Sequence, residues 1–138
     1  MADGGQEKKP KVVKTDAEWK QQLNPLQYNV TRKAGTERAF SDNGHNNKEP
    51  GQYRCVCCDA LLFSSETKYD SGTGWPSFFA PADKDAVDFR DDRGLFSRRT
   101  EVVCATCEAH LGHVFEDGPK PTGLRFCMNG AALKFEKQ

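Results

Sequence analysis

The segments Cys55-Val56-Cys57-Cys58 and Cys104-Ala105-Thr106-Cys107 place two Cys-x-x-Cys clips in one short chain. Each clip closes a tight turn that supplies two thiolates, and Zn²⁺ prefers four such ligands in a tetrahedron. The predicted ligands of one structural zinc ion per chain are Cys55, Cys58, Cys104 and Cys107. Structural zinc contributes about 10–16 kcal/mol in small zinc domains, and an ordinary domain has a net stability of about 5–15 kcal/mol. We therefore expect the metal to hold this fold together.

Length and composition indicate a single, rather polar domain. The 138 residues are 36% hydrophobic and 29% charged, so a modest core needs additional support. The 20 basic and 20 acidic residues cancel, which leaves no basic field for nucleic acid or an anionic membrane. No apolar run approaches the roughly 18 residues that span a bilayer, and the first residues contain no apolar signal segment. We expect a cytoplasmic protein without nucleic-acid or membrane partners.

The first part of the chain predicts one or two short helices. Thr15 or Asp16 can cap the first helix, and Pro25 ends it and sits in the first turn of the second. Residues 1–13 are interpreted as a flexible tail, and residues 14–138 as a single domain.

The rest of the chain predicts short strands and turns. The expected strands cover residues 60–63, 67–69, 86–90, 95–103, 111–115 and 124 to the end. The segment Asp91-Asp92-Arg93-Gly94 is expected to turn a hairpin. The resulting fold class is mainly antiparallel β.

Two cysteines lie outside the predicted ligand set, Cys57 and Cys127. Because residues two apart on a strand share a face, Arg125, Cys127 and Asn129 project to the same side. A nearby positive charge lowers the pKa of a thiol and raises its thiolate fraction. Cys127 is therefore a candidate nucleophile, and the alternative is a buried structural cysteine.

Two more segments contain candidate site residues. His110 and His113 follow the second clip, where they could extend the metal-ligand spacing, transfer a proton near neutral pH, or serve a structural role. Trp75 lies in a turn made rigid by two glycines and a proline, either as a core residue or as the wall of a pocket.

Taken together, these segments resemble the type B methionine sulfoxide reductases, which act on the R epimer of methionine sulfoxide. The resemblance covers about residues 19–135. It rests on both clips and on Ser71-Gly72-x-Gly74-Trp75-Pro76-Ser77-Phe78, His110-Leu111-Gly112-His113-Val114-Phe115-x-Asp117-Gly118-Pro119 and Arg125-Phe126-Cys127-x-Asn129. It implies two antiparallel sheets in a β-tent-like fold, with peripheral helices and a zinc site distant from the catalytic cysteine.

The resemblance also implies the role of each site residue. Catalytic roles fall to Cys127, His113, His110 and Asn129, and substrate-binding roles to Trp75, Phe115 and Arg125. The implied enzyme is a peptide-methionine (R)-S-oxide reductase that repairs proteins after oxidative stress. The Cys127 thiolate would attack the sulfoxide sulfur, His113 would protonate the oxygen, and Cys127 would become a sulfenic acid. Its partners would be oxidised proteins and thioredoxin or another thiol, with free sulfoxide as an open alternative, and we expect a monomer.

One residue departs from the resemblance. Many relatives carry a resolving cysteine at the position of Thr73, so the internal disulfide between that position and Cys127 cannot form here. Either an external thiol reduces the sulfenic acid, which we expect, or Cys57 resolves it.

Two other classes of protein fit parts of the sequence. A non-enzymatic zinc module would explain the clips but not the segment around Cys127. A redox protein with a Cys-x-x-Cys active disulfide would require a βαβ context, and this chain predicts hairpins instead.

Overall fold

The computed structural model describes residues 11–41, 43–93 and 98–138. Within these residues the helices are α1 (Asp16–Gln22) and α2 (Pro25–Arg32), and the strands are β1 (Gly51–Cys55), β2 (Leu61–Ser64), β3 (Lys68–Tyr69), β4 (Ser77–Phe78), β5 (Val87–Arg93), β6 (Arg98–Cys104), β7 (His110–Phe115), β8 (Arg125–Met128) and β9 (Leu133–Lys137). The strands form two antiparallel sheets, with orders β2-β1-β9 and β3-β4-β8-β7-β6-β5. The predicted fold class, mainly β with two antiparallel sheets and short helices, is confirmed.

Both helices begin with a capping box. The Thr15 side chain accepts the backbone N–H of Glu18, and the Glu18 carboxylate accepts the N–H of Thr15. Asn24 and Gln27 repeat the arrangement at the start of α2, where Pro25 occupies the first turn. These bonds satisfy N–H groups that a helix start leaves free. The predicted helices are confirmed, with Thr15 as the first cap.

An aromatic core joins the two sheets. Phe63 of the small sheet stacks on Phe78 of the large sheet, with ring centroids 4.4 Å apart. Tyr53 meets Phe78 at 5.2 Å, and Phe126 meets Phe63 at 5.8 Å. All four rings are buried, and burying one such side chain stabilises a fold by about 1.5–3 kcal/mol. This layer fixes the sheets against each other.

The hairpin between β5 and β6 turns later than predicted. Asp91, Asp92 and Arg93 continue β5, and the ladder pairs Arg93 with Arg98. β5 is an edge strand of the large sheet, and edge strands tolerate charged residues well. The prediction of a turn at residues 91–93 is therefore wrong, and residues 94–97 lie outside the described residues.

The last predicted strand is two strands in different sheets. β8 belongs to the large sheet and β9 to the small one, and a short 3₁₀ turn, Gly130–Ala132, connects them. A Cβ atom at Gly130 would meet the backbone oxygen of Asn43 at 2.1 Å, so only glycine allows Asn43 to approach the chain this closely. β4 was not predicted because it has only two residues.

The start of the described chain is attached to the second clip. The backbone N–H groups of Lys11 and Val12 donate to the Thr106 carbonyl at 2.8 and 3.1 Å. Residues 1–10 of the predicted tail lie outside the described residues. Neither α1 nor α2 has the length and apolar character that a membrane crossing requires.

Candidate active site and metal centre

The four clip cysteines meet at one point. Sγ of Cys55 lies 3.7 Å from Sγ of Cys107, and Sγ of Cys58 lies 3.6 Å from Sγ of Cys104. All four sulfurs lie within 4.8 Å of one another. Zn–S bonds of about 2.3 Å in a tetrahedron place sulfurs roughly 3.8 Å apart, and a disulfide would require about 2.05 Å. The cluster therefore fits a metal ion, as predicted, and does not fit disulfides.

Both clips have the same backbone geometry. Each is followed by a residue in the left-handed region, Asp59 at φ 69° and Glu108 at φ 67°. The N–H of each donates to the carbonyl of the first cysteine in its clip, Cys55 or Cys104, at 2.8 Å. Each clip is thus a preformed half of the site. The sequence did not reveal this turn, because glycine usually occupies such positions.

Arg32 of α2 lies beside the cluster. Its Nη1 is 3.7 Å from Sγ of Cys107, and its Nη2 donates to the Cys107 carbonyl at 3.1 Å. The guanidinium also lies over the Trp19 ring, 4.4 Å from its centroid. Four thiolates around Zn²⁺ leave two negative charges, and a neighbouring donor offsets them. Cys57 is buried and is not one of the four converging thiols.

The register of the large sheet brings together a second set of residues. His113 pairs with Cys127, Cys127 pairs with Ser77, and Glu101 pairs with His113 on the other side. Opposite residues in antiparallel strands point to the same face, with Cβ atoms about 4.5–5.5 Å apart. The side chains of four neighbouring strands therefore form one polar row on this face.

A cavity of about 340 Å³ lies over this row. It is lined by Thr36, Thr73, Trp75, Arg99, Gly112, His113, Phe115, Arg125, Cys127, Met128 and Asn129. The structure thus brings together all of the residues predicted to be catalytic or substrate-binding except His110. Trp75 is partly exposed, which places it at the cavity wall rather than in the core.

Cys127 is half-buried in this cavity. Burial raises the pKa of its thiol, and the Arg125 guanidinium and the Thr73 hydroxyl oppose that rise without cancelling it. The expectation that Arg125 lowers the pKa of Cys127 below its usual value is therefore wrong, because desolvation outweighs the charge. At neutral pH the group is mainly the neutral thiol.

Arg125 is engaged by other partners. Its Nε and Nη2 donate to the two carboxylate oxygens of Asp117 at 2.9 and 3.1 Å. Its guanidinium also lies over the Phe115 ring, 4.4 Å from the centroid. This bidentate pair reduces the positive field that Arg125 exerts on Cys127.

His113 is oriented by Asp92, a residue that the sequence did not reveal. The two side chains meet at 2.8 Å, between Nε2 and Oδ2. This hydrogen bond lowers the pKa of Asp92, so the carboxylate is ionised and only accepts. Nε2 therefore carries the proton, and Nδ1 offers a lone pair. Burial lowers the pKa of His113, which keeps the ring neutral at neutral pH.

His110 lies behind His113 and is not among the residues that line the cavity. It is buried, and its Nδ1 is 2.7 Å from Oε2 of Glu101. Its ring centroid is 5.4 Å from that of His113. The converging metal-ligand group in the described residues contains only the four cysteines, so the geometry does not support a site with histidine ligands.

Asn129 and Trp75 are both attached to Glu37. Oδ1 of Asn129 accepts the backbone N–H of Glu37 at 2.9 Å, and the Glu37 carbonyl accepts Nε1–H of Trp75 at 3.0 Å. Nδ2 of Asn129 donates to the Leu111 carbonyl at 3.1 Å. The amide thus has a backbone partner on each side.

Sequence reasoning missed three charged residues of the site, and the misplaced hairpin turn explains two of them. Asp92 and Arg99 face each other in the ladder and form an ion pair at 3.5 Å. With the turn placed three residues later, their alternation along the strands would have put them on one face. Glu37 had no such signal, because it lies in irregular chain between α2 and β1.

Comparisons with known proteins agree with this geometry. The SelR domain family matches residues 23–137. The peptide methionine sulfoxide reductase MsrB of Acinetobacter baumannii (strain AYE) is 56% identical over 128 residues, 93% of this chain and 92% of that protein. The same-named protein of Hahella chejuensis is 56% identical over 125 residues, 91% of this chain and 90% of that protein. The peptide methionine sulfoxide reductase B1, chloroplastic, of Arabidopsis thaliana is 57% identical over 120 residues, 87% of this chain and 59% of that protein. The chain therefore belongs to the type B methionine sulfoxide reductase family, and the prediction that it is an enzyme is confirmed.

Proposed function

We propose that this chain reduces the R epimer of methionine sulfoxide in oxidised proteins to methionine, with Cys127 as the nucleophile. The observation that carries the proposal is the pairing of Cys127 with His113 on adjacent strands, in a cavity whose wall includes Trp75. A thiol, a base and an aromatic wall are the groups that reduction of a sulfoxide beside a methyl group requires.

The protonation states suggest the course of the proton. Cys127 enters as a thiol, and the free lone pair of His113 takes its proton as sulfur attacks sulfur. His113 then gives that proton to the sulfoxide oxygen. The protonated oxygen then passes as hydroxyl from the substrate sulfur to the Cys127 sulfur, while the transient S–S bond breaks and methionine leaves with its electron pair. Cys127 becomes a sulfenic acid and is oxidised by two electrons, and the substrate sulfur is reduced by two. Positioned proton transfer of this kind contributes about 10²–10⁴ in rate.

The other residues of the site have roles that follow from their contacts. Trp75 and Phe115 offer apolar surface to the methyl group and side chain of the substrate. The Arg125 guanidinium packs on the Phe115 ring and holds it in place. Asn129 forms part of the cavity wall together with Cys127. The ring of His110 packs edge to face against the ring of His113 and limits its movement. A cavity open to solvent suits a side chain presented by another protein.

We assign the four-cysteine cluster to one structural zinc ion. Four thiolates match the preference of Zn²⁺, and a closed four-ligand set leaves no position for substrate. No catalytic step needs the ion. All six cysteines are free of disulfides, which suits a reducing compartment, and we propose a monomeric cytoplasmic enzyme of protein repair.

The proposal is tested by an epimer-resolved assay on separated R and S sulfoxides, both free and within a peptide. We expect turnover of the R epimer, with no turnover of the S epimer. Equal turnover of both epimers, or of neither, would contradict the proposed function.

The pH dependence of the reaction follows from the two shifted groups. The active form needs one transferable proton on this pair, so Cys127 must be the neutral thiol and Nδ1 of His113 must be unprotonated. Protonation of His113 removes the base, and since burial lowers its pKa, this loss occurs below the ordinary histidine value of about 6.5. Ionisation of Cys127 removes the proton, and since burial raises its pKa, this loss occurs above the ordinary cysteine value of about 8.5. We therefore expect kcat/KM to be flat from about pH 6.5 to about pH 8.5 and to fall only outside that range. A steady rise from pH 6.5 to 8.5 would indicate that preformed thiolate alone is the reactive species.

Regeneration by an external thiol is the second part of the proposal. Cys57 is buried beside the four-cysteine cluster, where Gln22 donates to its carbonyl at 2.8 Å, whereas Cys127 lies next to Thr73 and Arg125. The two thiols occupy different surroundings, and a disulfide requires Cα atoms within about 7 Å. Two external thiol groups, from thioredoxin or a small dithiol, would return Cys127 to the thiol and release water.

After one turnover without reductant, mass spectrometry should find one added oxygen on Cys127, captured by a reagent specific for sulfenic acid. Thr73 offers no thiol for an internal bond, which is the physical reason for this result. The C57S variant should give the same product. A Cys57–Cys127 disulfide in most wild-type molecules would show that resolution is internal.

A further inference from the structure

Glu37 is a buried carboxylate between α2 and β1, and only 4% of its surface is exposed. Its Oε1 accepts the backbone N–H of Ala131, and its Oε2 accepts that of Gly130, both at 2.8 Å. Oε2 also accepts the side-chain amide of Asn43. A buried carboxylate is stable only with such donors, so this geometry is specific for a charged acceptor with two oxygens.

The donors belong to the turn that links the two sheets. Gly130 and Ala131 follow Asn129 directly, where the chain leaves β8 for β9. The carboxylate of Glu37 therefore fixes the two residues that follow Asn129, which lines the cavity. The same two hydrogen bonds hold Glu37 itself against this turn.

The same backbone supports two cavity residues from different parts of the chain. Its N–H donates to Oδ1 of Asn129 at 2.9 Å, and its carbonyl accepts Nε1–H of Trp75 at 3.0 Å. These residues line the cavity together with Cys127. Glu37 does not line it, so its effect on the shape of the cavity must pass through these two side chains.

We infer that Glu37 is a positioning residue of the Cys127 site: its carboxylate fixes the chain after β8, and its backbone sets Trp75 and Asn129 around the thiol. The expected effect of Glu37 on catalysis rests on the proposed function, whereas its effect on the positions of Trp75 and Asn129 does not. Displacing either side chain by about 1 Å would lower kcat by up to about 10²-fold.

Glu37 has a second, separable effect through its charge. Burial is the main cause of the raised pKa of Cys127, and the negative charge of Glu37 adds to it. The E37Q variant removes that charge and presents an NH₂ group to one backbone N–H. We expect two opposite results, easier ionisation of Cys127 and slower sulfoxide reduction. A variant that merely loses stability would not combine them.

The test measures three properties of E37Q, with C57S as the common background so that Cys127 is the one thiol outside the cluster. The first is the pH midpoint of Cys127 alkylation by iodoacetamide, which should fall. The second is kcat for R-sulfoxide, which should fall by about 10-fold or more. The third is the hydrogen-exchange rate of the Trp75 indole N–H by NMR, assigned with W75F, which should increase.

Two variants serve as comparisons. E49Q removes an exposed loop carboxylate and should change none of the three properties. E37D keeps the charge but shortens the side chain, so indole exchange and kcat should change while the alkylation midpoint stays near that of wild type. E37D also keeps the inference testable if E37Q does not fold.

Unchanged indole exchange in folded E37Q or E37D would overturn the inference, whatever the effect on kcat. So would accelerated exchange with kcat equal to that of wild type. If the wild-type protein reduces no sulfoxide, the proposed function fails, and indole exchange together with the alkylation midpoint still decides whether Glu37 sets the site.

Discussion

Replacing Cys127 by serine should abolish sulfoxide reduction, with a loss of roughly 10⁴-fold or more in kcat, because the oxygen then has no acceptor sulfur. A serine hydroxyl is a far weaker nucleophile toward sulfur, and the ring of His113 cannot compensate for that. The measurement is single-turnover reduction of R-sulfoxide, with and without a dithiol.

The matched control for this variant is C57S, which removes the other thiol outside the four-cysteine cluster. Cys57 is buried and does not line the cavity, so the control should keep its activity. Both variants should retain metal and fold, measured by zinc content and near-ultraviolet circular dichroism. Turnover by C127S at a rate close to that of wild type would exclude Cys127 as the nucleophile.

Replacing Cys104 by serine should release the metal and unfold the domain. Cys104 is fully buried and its sulfur lies 3.6 Å from the Cys58 sulfur, so its replacement leaves the converging group with three of its four sulfurs. The metal contributes about 10–16 kcal/mol in small zinc domains, which matches or exceeds a net stability of about 5–15 kcal/mol. Zinc content and the thermal unfolding midpoint measure the effect.

C57S is again the control, because Cys57 lies in the same clip region as Cys55 and Cys58 without joining the cluster. It should retain one zinc per chain and a cooperative unfolding transition. A C104S protein with full zinc and an unchanged midpoint would show that the cluster is not the support of the fold. Removal of zinc from the wild-type protein by a chelator should give the same unfolding as C104S.

Local spacing was enough to predict the four-cysteine cluster, and the family resemblance supplied most of the cavity residues. Each clip is complete within four residues, so the four converging cysteines could be predicted without knowledge of the fold. Alternation along β8 and the residue after it correctly placed Arg125, Cys127 and Asn129 at one cavity. The fold class followed from the density of short strands and turns.

The contacts that decide protonation depended on long-range pairing. The pKa of Cys127 rises because the assembled sheets partly bury its thiol, which the neighbouring Arg125 did not reveal. Asp92 reaches His113 only because β5 runs longer than its charged sequence predicts. Glu37 is separated from Asn129 by 92 positions, and no local pattern indicates a contact of that range.

Thr73 occupies the place beside Cys127 where a second thiol would shield the oxidised state. Its hydroxyl lies 2.8 Å from that of Ser71, and neither group can capture a sulfenic acid. Under the proposed mechanism, an oxidised molecule would wait for an external thiol while it remains open to peroxide, and a second oxidation to the sulfinic acid is irreversible by ordinary thiols. The working lifetime of such an enzyme under oxidant exposure would then be set by the supply of reductant rather than by its own stability.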